Sequence, residues 1–359
     1  MKYLKNIAVN GCLFFLVGFI GVVTLEYCTR WALPQYDPRG GLVFLSDKKY
    51  QVNLGPKMVH QRHFKNTGDF DLYVDFNKYG LRDKKDIARS TEQDYFAVGD
   101  SISFGWGVEE DERYSNLLQA KMGKNVYNIS VPADFGGYEA LIRYAIAHGA
   151  RVKKLIVGVT MENDLKDYED VAYLSPDQKQ LLDLRRWLSI VKVYLTRKSA
   201  AYTAISTAVH HNQLLKQTAI KAGLLVENLA GMGKNTLSEP IIASSVRKLV
   251  ELSSPYETTI LIIPSRGLWV GENMDIERAV HDRFVAGLKQ AGLDIVDMRP
   301  IFEQTRNPLQ FNFKEDGHWN PAGHRKAAEV LATHIVSKIE RRRLKNLSQL
   351  REAGGERGI

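Results

Sequence analysis

An α/β fold, with a central parallel sheet covered on both faces by helices as a three-layer α/β/α sandwich, is predicted for most of this chain by two observations. From residue 94 onward, short apolar runs alternate with longer amphipathic stretches of helical period. The runs also lack the polar alternation of a half-exposed strand, as expected when both faces of a parallel sheet are buried.

The elements follow in chain order. A strand is predicted over Tyr95 to Val98, a helix over Tyr114 to Met122, a strand over Val126 to Ile129, a helix over Tyr138 to His148 and a strand over Leu155 to Val159. After an interruption come a helix over Ile242 to Leu252, a strand over Thr259 to Ile263, a helix over Ile276 to Ala291, a strand over Asp294 to Val296 and a helix over Ala322 to Lys338. In such folds ligands bind beyond the carboxyl ends of the strands, so the residues just after each run are the ones to read for chemistry.

Around this frame the chain divides into segments. Residues 1–32 hold Met1-Lys2-Tyr3-Leu4-Lys5 and then an apolar run from Ile7 to Leu25, broken only by Asn10 and Thr24. About 19 such residues span a bilayer as a helix. A cleavable signal would have a shorter apolar region and small residues at its end, whereas this run closes in Val23-Thr24-Leu25-Glu26-Tyr27. An uncleaved transmembrane anchor is therefore expected, with Lys2 and Lys5 on the cytoplasmic side and Tyr27 and Trp31 at the far interface. That orientation puts the rest of the chain in the periplasm or outside the cell. Cys12 and Cys28 lie about 24 Å apart along such a helix and cannot pair within one chain.

Residues 33–90 read as a linker and small β elements packed on the main domain, with Asn77-Lys78-Tyr79-Gly80-Leu81-Arg82-Asp83 as a structural turn. The main domain is expected over 91–338, with a mostly helical insertion at 165–240 in which Trp187, Ile190, Val191 and Tyr194 form a stripe of helical spacing. Ordinary helix packing accounts for that stripe; because the insertion leaves the sheet beside its active edge, a lid or one wall of the substrate groove is the alternative role. Residues 339–359 form a basic tail. Lys338 to Ile359 carries seven Lys or Arg against three Glu, half of the chain's net charge of +8. Hydrophobic residues at 44% and charged residues at 25% otherwise place the chain among ordinary globular proteins.

The chemistry sits at the strand ends. Gly99-Asp100-Ser101 follows the first strand, Asn128-Ile129-Ser130-Val131-Pro132-Ala133 the second, Met161-Glu162-Asn163-Asp164 the third, and Asp316-Gly317-His318-Trp319-Asn320 precedes the last helix. A serine hydroxyl is a poor nucleophile at neutral pH. It needs a base within hydrogen-bond reach, and the base needs a third group to orient it. Ser101, His318 and Asp316 have the side chains for these three roles, and a nucleophile where a helix begins also meets that helix's free N–H groups.

Four blocks in this order, over roughly Tyr95 to Lys338, resemble the GDSL or SGNH hydrolase superfamily, a flavodoxin-like fold, and in particular its members tied to O-acetylation of bacterial envelope or exopolysaccharide. The resemblance implies Ser101 as nucleophile, His318 as base, Asp316 as its orienting carboxylate, and an oxyanion hole from Ser101, Ala133 and Asn163. Three departures stand out: Ala133 replaces the family's glycine, with Ser130 and Gly136 as alternative positions; Met161 also stands where glycine is usual; and Asp316 lies two residues before His318 rather than three. A hole made of a backbone N–H tolerates alanine.

The function so implied is a membrane-anchored, periplasm-facing serine esterase that removes O-acyl groups, O-acetyl above all, from an envelope or secreted polysaccharide through an acyl-enzyme. It requires no cofactor and no metal, and its partners would be the acylated glycan, the membrane and polysaccharide biosynthesis or export proteins. An O-acetyltransferase on the same glycan, a lipid esterase or thioesterase, and a non-catalytic component of an export machinery are the rivals. Other motifs carry less. Gly231-Met232-Gly233-Lys234-Asn235 lacks the Ser or Thr of a phosphate loop, His318 and His324 lack further metal ligands, and His60 and His63 read as surface residues. Pro321-Ala322-Gly323-His324 opens a helix, and no nucleic-acid signature is present.

Overall fold

A computed structural model describes residues 2–168, 191–192, 194–222 and 238–355. The chain forms two compact units, one of residues 1–41, 64–69 and 176–226 and the other of residues 42–63, 70–175 and 227–359.

The larger unit is built on five parallel strands: β5 (Tyr95–Gly99), β6 (Val126–Asn128), β7 (Lys154–Thr160), β8 (Glu257–Ile263) and β9 (Ile295–Asp297), in the order β6-β5-β7-β8-β9. Four short strands precede them, β1 (Leu45–Asp47) paired with β2 (Val52–Leu54), and β3 (His60–Phe64) with β4 (Asp71–Asp75). The helices of this unit are α2 (Ser101–Phe104), α3 (Tyr114–Met122), α4 (Phe135–Ala147), α7 (Glu239–Ser253), α8 (Met274–Gln290), α9 (Arg299–Glu303) and α10 (Pro321–Gly355). The smaller unit holds α1 (Lys2–Ala32), α5 (Ala200–His211) and α6 (Gln213–Lys221).

Strand periodicity divides the core in two. Phe96 and Val98 face one side of the sheet, with Val157, Val159, Ile260 and Ile262, and are covered by Tyr138, Leu141, Leu249, Phe284 and Leu288 of α4, α7 and α8. Tyr95 and Ala97 face the other side, with Ile156, Leu261 and Ile263, beneath Tyr114 and Leu118 of α3 and Leu331 and Ile335 of α10. Each large apolar side chain so buried stabilises the fold by about 1.5–3 kcal/mol, and a one-residue slip would exchange the two faces of a strand. The sandwich expected from the sequence is the fold observed. Among the described elements, the short α2 and α9 have no counterpart in the apolar pattern, and α10 runs on to Gly355 rather than ending near Lys338. The basic tail is therefore helical over most of its length, because no residue between Lys338 and Gly354 breaks a helix.

The turn at Asn77–Asp83 supports the segment after Ser101. Asn77 Oδ1 accepts from the N–H of Tyr79 and Leu81, and this turns Arg82 inward, where its Nη1 donates to Gly105 O at 2.6 Å and its Nη2 to Val108 O at 2.7 Å. Burial lowers the Arg82 guanidinium to about 9, with the neighbouring Arg113 acting in the same direction. Arg113 Nη1 in turn donates to Arg82 O at 2.6 Å. Carbonyl oxygens, rather than carboxylates, hold the Arg82 guanidinium.

Within the smaller unit, Asn10–Ala32 of α1 is long and apolar enough to cross a membrane, and its apolar 18-residue stretch is not buried. Trp187, Ile190 and the Gly231–Lys234 motif lie outside the described residues. Tyr194, expected to pack in the same stripe as Trp187, is instead 63% exposed.

Candidate active site

Ser101 opens α2 directly beyond β5. Asp100 caps that helix, its Oδ1 accepting from Ile102 N–H at 2.9 Å. Gly99 is needed there because a Cβ would lie 2.2 Å from Ser103 Oγ, and only its absence lets α2 sit so close to the strand end. The Ser101 side chain is half-buried, and its N–H has no protein acceptor among the described residues.

His318 comes from a loop closed at both ends: Phe313 N–H donates to His318 O at 2.8 Å, and Asn312 Nδ2 donates to Gly317 O at 2.7 Å. His318 Nε2 lies 2.9 Å from Ser101 Oγ. Its Nδ1 bonds the Asp316 carboxylate, whose side chain is 2% exposed. With Nδ1–H donating to Asp316, the imidazole lone pair is on Nε2 and accepts from the Ser101 hydroxyl. Ser101 Oγ also lies 3.4 Å from Asp100 Oδ2, a longer contact.

Asn163 follows β7 in a turn fixed by Asp164, whose Oδ2 accepts from Thr160 N–H at 2.7 Å and Tyr138 O–H at 2.8 Å. The Asn163 side chain is exposed, and its Nδ2 donates to Asp100 Oδ2 at 3.4 Å. Burial raises the Asp100 carboxyl above its usual range. It raises Asp164 well above it, with Asp100 adding repulsion. A carboxyl held toward its neutral form can cap α2 without setting a full negative charge beside Ser101.

The structure thus joins Ser101, His318 and Asp316 directly and brings Asn163 to them through Asp100. Ala133 makes no hydrogen bond to any of them; it lies between β6 and α4, next to the cap residue Asp134, and its N–H has no protein acceptor among the described residues. β6 is the strand beside β5, and Ile129 N–H still donates to Ala97 O at 2.9 Å, so the segment leading to Ala133 leaves the sheet next to Ser101.

Two supports were not read from the sequence. Trp106 stacks on the His318 ring, centroids 5.4 Å apart at 23°. Arg266, after β8, donates from Nε to Glu162 Oε1 at 3.0 Å and from Nη2 to Glu162 Oε2 at 3.2 Å. Gly317, at φ +92°, lies against the same guanidinium, where a Cβ would come within 1.8 Å of Nη1. Arg266 therefore ties the residue before Asn163 to the residue before His318. Their glycine and carboxylate looked ordinary because the three partners are far apart in the chain.

The remaining histidines separate clearly. His60 is exposed and pairs with Asp75 at 2.6 Å. His63, expected at the surface, is only 4% exposed and packs against Phe70 and Trp106, because β3 turns it toward the aromatic cluster below β4. His324 is fully buried in α10, where its Nδ1 accepts from Tyr114 N–H at 3.3 Å. Among the described residues no cluster of His, Cys, Asp or Glu could hold a metal.

Burial pushes the His324 imidazole down to about 3, against about 6.5 for an unfolded histidine. The unfolded chain binds that proton first, so the contribution of His324 is complete above about pH 6.5 and is lost progressively as pH falls toward 3. Between about pH 7.5 and about pH 4.5 the wild type should lose about 2–3 kcal/mol more than His324→Asn, which keeps an acceptor for Tyr114 N–H. Urea midpoints at the two pH values check this; equal losses would refute it.

Residues 257–354 match the family model described as SGNH hydrolase-like domain, acetyltransferase AlgX. Solved structures similar to this chain include a member of the lipolytic protein G-D-S-L family from Veillonella parvula DSM 2008, at 14% identity over 66% of this chain and 94% of that one, with a TM-score of 0.37. Another is the lipase/acylhydrolase from Enterococcus faecalis, at 10% identity over 69% of this chain and 96% of that one, with a TM-score of 0.38. No curated protein matches the sequence. A five-stranded parallel sheet carries the serine, asparagine and histidine blocks at its carboxyl edge, and the C-terminal portion of the chain, residues 257–354, is similar to an SGNH hydrolase-like domain.

Proposed function

We propose that this protein is a serine esterase that removes O-acetyl groups from an envelope or secreted polysaccharide, anchored in the cytoplasmic membrane by α1 with its catalytic unit in the periplasm. One observation carries the chemistry: Ser101 Oγ stands 2.9 Å from His318 Nε2, with Asp316 behind the ring.

In this mechanism the Ser101 oxygen attacks the acyl carbon as its proton passes to His318 Nε2. The imidazolium, stabilised by Asp316, then protonates the departing sugar oxygen and leaves an acyl-enzyme. Water, deprotonated by His318, attacks that ester; acetate departs and the proton returns to Ser101. The N–H groups of Ser101 and Ala133 and the Asn163 amide receive the negative charge that grows on the carbonyl oxygen in both steps.

Support for a glycan comes from a polar cleft of about 340 Å³ lined by Gln51, Asn53, Ala133, Asp134 and Lys166. Ala133, Asp134 and Lys166 follow β6 and β7, the two strands flanking β5, while Gln51 and Asn53, from the β1–β2 hairpin, supply amides that suit sugar hydroxyls. Gln51 adopts φ +57°, a conformation that costs a non-glycine residue energy and recurs at binding sites. Lys2 and Lys5 before the apolar helix, and Tyr27 and Trp31 after it, support the compartment.

A second reading, O-acetyl transfer to the glycan, is favoured by the match over 257–354 to an acetyltransferase family. The two differ only in whether water or a sugar hydroxyl resolves the acyl-enzyme. Incubating the full chain with p-nitrophenyl acetate, with and without a deacetylated glycan, separates them. Free acetate alone supports hydrolysis, acetyl ester on the glycan supports transfer, and neither product from folded protein refutes acyl chemistry at Ser101.

A further inference from the structure

The smaller unit carries a surface that the catalytic reading leaves unused. We propose that α5 and α6 form a membrane-surface element, seated in the headgroup layer of the bilayer crossed by α1 and held there by anionic lipid. The inference rests on the reading of α1 as a membrane span.

Its first support is the distance to the apolar run. Glu26 of α1 accepts from Ser199 Oγ at 2.7 Å, from Ala200 N–H at 2.9 Å and from Ala201 N–H at 3.1 Å, so its carboxylate caps the start of α5. Arg30, one turn further, donates to Lys198 O at 2.5 Å and to Asp37 Oδ1 at 2.5 Å. The apolar run ends at Leu25. At about 1.5 Å per residue, these contacts lie within about 8 Å of its end, the depth of a headgroup layer. The start of α5 is thus fixed at the bilayer boundary by α1 itself. These bonds also build the end of α1 into the fold, as expected of a retained anchor rather than a removed leader.

The second support is chemical. Residues 191–222 contain Lys192, Arg197, Lys198, Lys216 and Lys221 and no Asp or Glu. Lys192, Arg197, Lys198 and Lys221 are exposed. Large apolar side chains are exposed alongside them, with Tyr194 at 63%, Ile205 at 56% and Leu214 at 74%. Among the described residues none of α6 is buried, and Leu214 and Leu215 enter no core there. Exposed leucines among cations, without acidic residues, are the composition of helices that lie in an anionic interface. The large, charge-free surface of a neutral partner protein would leave those cations uncompensated.

Nitroxide accessibility in the full chain, reconstituted into nanodiscs of phosphatidylethanolamine with a minority of phosphatidylglycerol, tests this. Three labels are compared: native Cys12 in a Cys28→Ala background, and Leu214→Cys or Lys57→Cys in a background of Cys12→Ala with Cys28→Ala. Cys12 should be reached by oxygen and shielded from a nickel chelate, Lys57→Cys should show the reverse, and Leu214→Cys should resemble Cys12 at shallower depth. Exchanging phosphatidylglycerol for phosphatidylcholine, or reversing charge with Lys192→Glu, Lys198→Glu and Lys221→Glu together, should return the Leu214→Cys label to water. A label at 214 as open to nickel as that at 57, with Cys12 still shielded, overturns the docking and leaves the anchor intact. Immersion unaffected by headgroup charge overturns the anionic preference, and a Cys12 open to nickel overturns the anchor.

Discussion

Replacing Ser101 by alanine is expected to abolish covalent labelling by a fluorophosphonate and to lower turnover of p-nitrophenyl acetate by about 10,000-fold or more. The size follows from the relay. Without the hydroxyl, His318 has no proton to accept, and the route through an acyl-enzyme is closed rather than slowed. His318→Ala should cost nearly as much, because the Ser101 hydroxyl would keep only the 3.4 Å contact to Asp100, a carboxyl whose burial favours its protonated form. The double variant should be little worse than either single one, since the two residues act as a unit. Ser101 is half-buried and its hydroxyl packs no core, so the thermal midpoint should stay close to wild type. Equal labelling of wild type and Ser101→Ala would place the reactive group elsewhere and end the proposed mechanism.

The parts of this site that could be read in advance share one property: each is encoded within a few consecutive residues. Strands such as β7, with six of its seven residues buried, appear as unbroken apolar runs, and the block after each run names its own chemistry. Ser101 and Asn163 stand in such blocks, and Asp316 and His318 share one short block before the last helix. What escaped depends on pairs distant in sequence. Arg266 meets Glu162 across 104 residues, and Trp106 reaches His318 from the other end of the domain. The burial of His63 was missed for the same reason, since only the fold shows that Phe70 and Trp106 enclose it. The reach of α10 was legible only in part: its apolar period ends near Lys338, and beyond that point helix propensity alone, unopposed by any residue up to Gly354, carries the helix on.

Asn163 supplies the other large effect. Asn163→Ala should reduce kcat for p-nitrophenyl acetate by about 100- to 1,000-fold with little change in KM, the loss typical of one oxyanion donor. The reasoning is differential. A neutral ester carbonyl gains little from the Asn163 amide, whereas the tetrahedral oxyanion gains a donor already fixed in place and so costs no reorganisation. That donor is held from two sides: Asp100 Oδ2 accepts from Nδ2, and the Glu162 pair with Arg266 steadies the preceding residue. Because the side chain is exposed, its removal should leave the urea midpoint within about 0.5 kcal/mol of wild type, which separates a catalytic loss from an unfolding one. Labelling by the fluorophosphonate should slow as well, since attack on phosphorus also builds charge on an oxygen. A variant with unchanged kcat and labelling rate would mean that the oxyanion forms away from Asn163, leaving only the N–H groups of Ser101 and Ala133 to receive it.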